Sequence, residues 1–281
     1  MVRQAFAFAA VLALGGCSQG VLDPQGPVAG AELTILINSL GIMLAIVVPT
    51  IAATLGTAWW FRASNSRARY RPDWEYSGRL ELIVWSIPAM TVLLLGGIGW
   101  VGSHDLDPKR PLAAARPLVV EVAALDWKWL FLYPGQGIAS LNHVVIPAGT
   151  PIDFRITSSG VMNSFFVPQL GSQIYAMAGM VTQVQLLADK PGLYPGLSAQ
   201  FSGDGFADMR FTVEAVPPDQ FEAFVAGAAQ GGRPLDRAAY DRLARPSKAV
   251  APSIYHPVDP TLFDSIVHPD MPATAASPME N

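Results

Sequence analysis

The 281 residues are 51% hydrophobic and only 14% charged, a balance too apolar for an ordinary soluble protein of this length. A formal net charge of −4, with no Lys/Arg cluster outside one short loop, argues against a nucleic-acid partner. A single cysteine excludes an internal disulfide, although it leaves the compartment open.

Residues 1–16 read as a lipoprotein-type signal peptide: Arg3, an apolar run from Ala5 to Leu14, then Gly15-Gly16-Cys17. Leu14 to Cys17 resembles a bacterial lipobox, which implies cleavage before Cys17 and lipidation of its thiol. The alternative is a small-residue junction that happens to contain a cysteine. Acylation would contribute about 0.8 kcal/mol per methylene buried in lipid. Residues 17–32 are rich in Gly and Pro and read as a periplasmic linker.

Residues 33–61 and 81–102 are expected to be transmembrane helices. Neither Leu33–Phe61 nor Leu82–Val101 contains a charge, and both are long enough for a hydrocarbon core of about 30 Å. Trp59, Trp60, Trp85 and Trp100 lie near their ends, as interfacial aromatics do, and Pro49 and Pro88 sit inside them. In the intervening loop, 62–80, Arg62, Arg67, Arg69, Arg71 and Arg79 outnumber Asp73 and Glu75, which places that loop in the cytoplasm. Both flanks then lie outside, where lipidation of Cys17 would also have to occur. Glu81 stands at the cytoplasmic mouth of the second span; on position alone it is an interfacial charge that snorkels or pairs with Arg79.

Composition changes at Ser103. A polar linker, 103–117, leads into short β-type runs at Leu118–Ala124, Trp127–Tyr133, His143–Ile146, Pro151–Ile156, Val181–Leu187 and Met209–Val216, separated by Gly, Pro and Asn turns. Such spacing points to a small sandwich or barrel over 118–216. The alternating tryptophans of Trp127-Lys128-Trp129 fit packing against a core or a partner. After Pro217-Pro218 the pattern turns helical: Phe221, Phe224 and Val225 share one face, Leu235, Ala239 and Leu243 another, and Pro246 ends the second helix. Residues 217–268 thus form a helical, aromatic-containing arm, and 269–281 a Pro/Ala/Ser tail expected to be disordered. His104, His143, His256 and His268 have no ligand spacing. Met162, Met177, Met180 and Met209 could be imagined as a thioether site, but methionine more often fills gaps.

The stretch Tyr194 to Met209 carries the chemistry by what it lacks. It resembles the C-x-x-x-C-x-x-x-H-x-x-M loop with which subunit II of the haem–copper respiratory oxidases holds two coppers. The cysteine positions read Ser198 and Ser202, the histidine position reads Phe206, and Gln200 stands for a glutamate that ligates through its carbonyl; Met209 is retained. Upstream, Asn163 in Val161 to Pro168 stands where the family has its other histidine. A serine hydroxyl stays protonated near neutrality and phenylalanine has no lone pair, so no metal is expected here. Loss of that centre resembles the cytochrome bo-type ubiquinol oxidase branch of the family, as do Trp127-Lys128-Trp129, Gly171 to Met180 and the segment Tyr255–Phe263.

The resemblance implies a membrane-anchored, otherwise all-β chain: a two-helix transmembrane hairpin, a periplasmic cupredoxin-like sandwich without copper, and a C-terminal helical arm. It implies the second subunit of a proton-pumping ubiquinol:oxygen oxidoreductase of the aerobic respiratory chain in the bacterial inner membrane. This chain would hold no redox centre and would not be catalytic alone. Haems and copper would lie in subunit I, with subunits III and IV and membrane lipid as further partners, ubiquinol as substrate, and no cytochrome c. Leu80 to Pro88 resembles the segment whose glutamate opens a proton path, which implies that role for Glu81. The rival is a free-standing, membrane-tethered lipoprotein binding module that handles metal.

Overall fold

A computed structural model describes residues 20–69, 71–112 and 116–269. The signal segment, Cys17 and the tail from residue 270 lie outside the described residues. The chain divides into two compact units, Ala31–Asp107 and the remainder.

The first unit is a pair of helices, α1 (Pro27–Trp60) and α2 (Gly78–Asp105). Leu, Ile, Val, Met and Ala recur on every face, so neither helix has the single apolar stripe of a surface helix. Their apolar side chains point outward, Leu55 65% and Leu93 76% exposed, which suits lipid and not water. At about 1.5 Å per residue, both are longer than a hydrocarbon core of about 30 Å. Gly102 near the end of α2 lies against Ile35 near the start of α1, so the helices run antiparallel as a hairpin; a Cβ at Gly102 would meet Ile35 Cδ1 at 2.6 Å. Arg62 closes α1, its guanidinium donating to the Trp59 carbonyl (2.7 Å) and lying 4.8 Å from the Trp59 ring. Residues 27–32, expected as linker, are helical: Pro27 is compatible with a first helical turn, whose N–H groups have no intrahelical partner.

The second unit is a sandwich. Strands β1 (Leu118–Leu125), β2 (Lys128–Tyr133), β3 (Ile138–Leu141), β5 (Ile152–Ser158) and β8 (Thr182–Leu186) form most of one sheet. Facing it are β4 (His143–Pro147), β6 (Asn163–Phe166), β7 (Ile174–Ala176), β9 (Gly192–Ser198) and β10 (Arg210–Val216), in the order β4-β10-β9-β6-β7. Strict alternation along β2 sends Trp129, Phe131 and Tyr133 into the space between the sheets, where Trp129 and Phe131 meet Phe165 and Phe211, and Phe154 packs on Phe165. Phe165 and Phe211 stack at 5.0 Å.

Tyr133 also pins the two sheets. Its buried hydroxyl donates to the Val145 carbonyl (3.0 Å) and accepts from the Val145 N–H (2.9 Å), so edge strand β4 has both groups satisfied by a side chain. Burial holds this phenol above the usual tyrosine range. Tyr133→Phe leaves both backbone groups buried and unmet, and the loss of unfolding free energy in denaturant titration is expected to be about 2–4 kcal/mol.

The arm is not helical throughout. It runs α3 (Pro218–Gly231), β11 (Arg233–Leu235), α4 (Arg237–Leu243), β12 (Ser253–Val258) and α5 (Leu262–Val267). Strand β12 pairs with β3 and carries β11 outside it, which extends the first sheet to seven strands. Leu235, expected on a helix, lies on β11. Asp236 behind it starts α4 by accepting the Ala239 N–H at 2.7 Å. The arm then folds over the outer face of the sheet. Leu235, Tyr240, Leu262, Phe263, Ile266 and Val267 bury against Leu125, Leu130, Leu132 and Leu141 as a second core. The seven-stranded sheet is therefore apolar on both faces, which is why β2 has no exposed residue.

Candidate functional site: the loop between β9 and β10

The ends of β6 and β9 and the loop leading to β10 bring the singled-out residues together. Ser198 Oγ lies 3.3 Å from Asn163 Oδ1 and 3.2 Å from the Gln200 carbonyl, and it accepts the Ser164 N–H at 3.4 Å. Asn163 in turn donates to the Val161 carbonyl at 3.0 Å. Ser202 Oγ donates to Met209 Sδ at 3.7 Å, and the Met209 carbonyl accepts the Ser198 N–H at 3.0 Å. Asn163, Ser198 and Met209 are buried. Phe206 opens a short 3-10 turn, Phe206–Asp208, with its ring 5.6 Å from Phe201.

This donor set is neutral and mostly hard: two hydroxyls and amide oxygens, with one soft thioether. Copper that cycles between its oxidation states favours thiolate and imidazole, so the residues present do not fit it. Of the four methionines, Met209 is buried while Met162 and Met180 are exposed. Of the histidines, His143 pairs with Glu214 (2.9 Å), and His104 and His256 each sit by a backbone carbonyl.

Trp127 and Trp129 do not share a strand. Trp127 takes a left-handed backbone (φ 69°) in the β1–β2 turn, and β2 starts one residue later. Its indole donates to the Ser202 carbonyl at 2.8 Å and lies flat against Gly205, where a Cβ would stand 2.4 Å from the ring. Only glycine permits that approach. The Lys248 ammonium of the arm lies 5.5 Å from the Trp127 ring centroid. Trp127 thus joins the loop to the arm.

Lys128 beside it is fully buried on the arm side of β2. Its ammonium donates to the Asp126 carbonyl (2.9 Å), the Arg245 carbonyl (2.9 Å) and Ser247 Oγ (2.6 Å). Burial lowers its pKa from the usual lysine range, and the Asp126 carboxylate opposes that. Sequence reading passes over this role, because two of the partners lie more than a hundred residues away. Glu81 sits apart in the helical unit: it is exposed in the first turn of α2, its N–H bonded to the Ser77 carbonyl, where a negative charge also favours the helix start.

Two facing sheets, with two apolar helices before them and the β9–β10 loop at one end, define the cupredoxin-type periplasmic domain of an oxidase second subunit. Residues 120–216 match the family described as cytochrome c oxidase subunit II, periplasmic domain, and 229–271 match the COX aromatic rich motif. Over 260 residues the chain is 45% identical to cytochrome bo(3) ubiquinol oxidase subunit 2 of Pseudomonas aeruginosa, covering 92% of this chain and 78% of that protein. It is 49% identical over 259 residues to ubiquinol oxidase subunit 2 of Acetobacter aceti (91% and 84% covered). It is 35% identical over 240 residues to quinol oxidase subunit 2 of Bacillus cereus (84% and 82%). The chain belongs to the ubiquinol oxidase subunit II family. Its apolar helices and the matched domain make it an inner-membrane protein with the β unit in the periplasm. A free-standing binding module is not favoured, since these relatives match along both units.

Proposed function

We propose that this chain is the structural second subunit of a terminal oxidase that oxidises ubiquinol and reduces oxygen to water. The observation that carries the reading is the loop at Ser198–Met209. It brings Asn163, Ser198, Gln200, Ser202 and Met209 together at positions that resemble those of a two-copper loop and offers groups that pass no electrons, in a chain similar to proteins named ubiquinol oxidase subunit 2. Two ubiquinols supply the four electrons that convert one oxygen to two waters. Those electrons need redox centres of a partner, so haems and copper are assigned to subunit I. Subunits III and IV and lipid complete the assembly, and Cys17 is assigned as a lipidated N-terminus. Here the chain caps the outer face of subunit I and admits protons.

Proton entry is assigned to Glu81. A carboxylate at the cytoplasmic end of α2 exchanges protons with water and stands where α2 enters the membrane. The test is purification of the native complex in mild detergent with wild-type chain and with Glu81→Gln, which keeps the shape and removes the titrating proton. Wild-type chain should bring down a haem-containing subunit with ubiquinol oxidase activity. The variant should assemble equally and turn over about a hundredfold or more slowly, the span typical of one positioned proton-transfer group. A wild-type chain that arrives without haem overturns the oxidase reading. Full turnover in the variant overturns only the role of Glu81.

A further inference from the structure

Where α5 crosses β1 and β5, the outer face of the sheet carries charge among leucine and alanine. Val119, Glu121, Ala123 and Leu125 point to that side of β1, and Glu121 lies in register with Arg155 of the parallel neighbour β5 and with Leu132 of β2. Arg155 is held by Asp153 (3.3 Å), whose other oxygen accepts from Gln183 Nε2 at 2.7 Å. Helix α5 buries Leu262, Phe263, Ile266 and Val267 against the sheet and leaves Asp264 exposed on the element that packs on β1 and β5. A cavity of about 450 Å³ lined by Arg116, Val119, Glu121, Gln136 and Arg155 opens beside the carboxyl and gives protons a path to it.

We propose that α5 is a proton-responsive flap on the periplasmic domain, closed over a protonated Glu121 and loosened when Glu121 and Asp264 both carry charge. Two carboxylates on facing elements repel once ionised, and the apolar contacts of one short helix oppose that repulsion. Arg155 offsets part of the repulsion, but it is shared with Asp153. Burial, and then Asp264, push the Glu121 carboxyl from its ordinary 4.5 up to about 7, against the pull of Arg155. With α5 lifted, both causes weaken and the carboxyl returns toward its ordinary value. The closed state therefore holds the proton more tightly. Closure is fully favoured below pH 4.5, weakens as pH rises through 7, and changes little above it.

Hydrogen exchange of the full chain in detergent, corrected for the intrinsic effect of pH, reads this at the amides of 262–267. Protection should fall about tenfold from about pH 5.5 to about pH 8. Glu121→Gln should hold it high at both values. Asp264→Asn, at an exposed position, should move the midpoint to lower pH. Equal protection at the two pH values in the native chain overturns the proposal, and so does native pH dependence in Glu121→Gln. If that variant does not fold, an unchanged midpoint in Asp264→Asn overturns it.

Discussion

Lys128→Met is expected to loosen the arm and to cost about 2–4 kcal/mol of unfolding free energy, which for a domain of this size lowers the melting temperature by about 5–15 °C. Methionine fills most of the lysine volume, so packing is nearly conserved and the loss falls on polar groups. The Arg245 carbonyl and Ser247 Oγ lose a charged donor whose side chain is fully buried. The Asp126 carbonyl keeps the Ser247 N–H at 3.2 Å, which limits the damage to two acceptors. Removal of the buried ammonium returns its desolvation cost, and that holds the effect below the sum of three lost bonds. Lys248→Met is the matched control: its ammonium is exposed and only faces the Trp127 ring, a contact that contributes about 0.5–1 kcal/mol. Thermal unfolding of the full chain in detergent measures both. Equal shifts for the two would show that Lys128 is no more a clasp than its surface neighbour.

The two spans and the alternating strands were legible because single runs of residues decide them. Apolar faces all round mean lipid, and period-two alternation means a strand with a buried side. Strand β9 was hidden by its own residues, since Tyr194-Pro195-Gly196 interrupts any strand pattern with a proline and a glycine. Proline is tolerated there because β6 joins β9 only from Leu197 onward, so Pro195 has an open side. Gly196 is needed because Phe211 lies where its Cβ would be, at 2.2 Å. Leu235 was misplaced because a three-residue strand has too little length to show a period, and a helix follows at once. The left-handed turn at Trp127 leaves no trace in a Trp-Lys-Trp pattern. Glu121 was readable in principle: it is the one charge on the otherwise apolar β1. The loop positions were assigned through the resemblance to a family motif, whereas the partners of Lys128 come from the distant arm and needed the fold.

Replacing five residues in the loop region should turn a colourless chain into a copper protein. Asn163→His, Ser198→Cys, Gln200→Glu, Ser202→Cys and Phe206→His restore the family pattern around Met209. The hydrogen bonds already tie Asn163 to Ser198, Ser198 to Gln200, and Ser202 to Met209, so the new donors start from adjoining positions. Two thiolates four residues apart can bridge two metals, and soft sulfur stabilises the reduced ion. Without metal the variant should be less stable than the parent. The Phe201–Phe206 contact contributes about 0.5–1.5 kcal/mol, and the hydrogen bonds of Ser198 about 1 kcal/mol each. Trp127 and Gly205 stay in place and keep the loop anchored to the β1–β2 turn. Titrated with copper, the full-length variant should take up about two ions and gain a visible sulfur-to-copper charge-transfer band. Its melting temperature should rise with the metal and fall again with a chelator, because binding to the folded state alone stabilises it. The parent chain should show none of these changes. A variant that folds yet takes up no more copper than the parent would mean that Ser198, Ser202 and Phe206 do not occupy the ligand positions assigned to them.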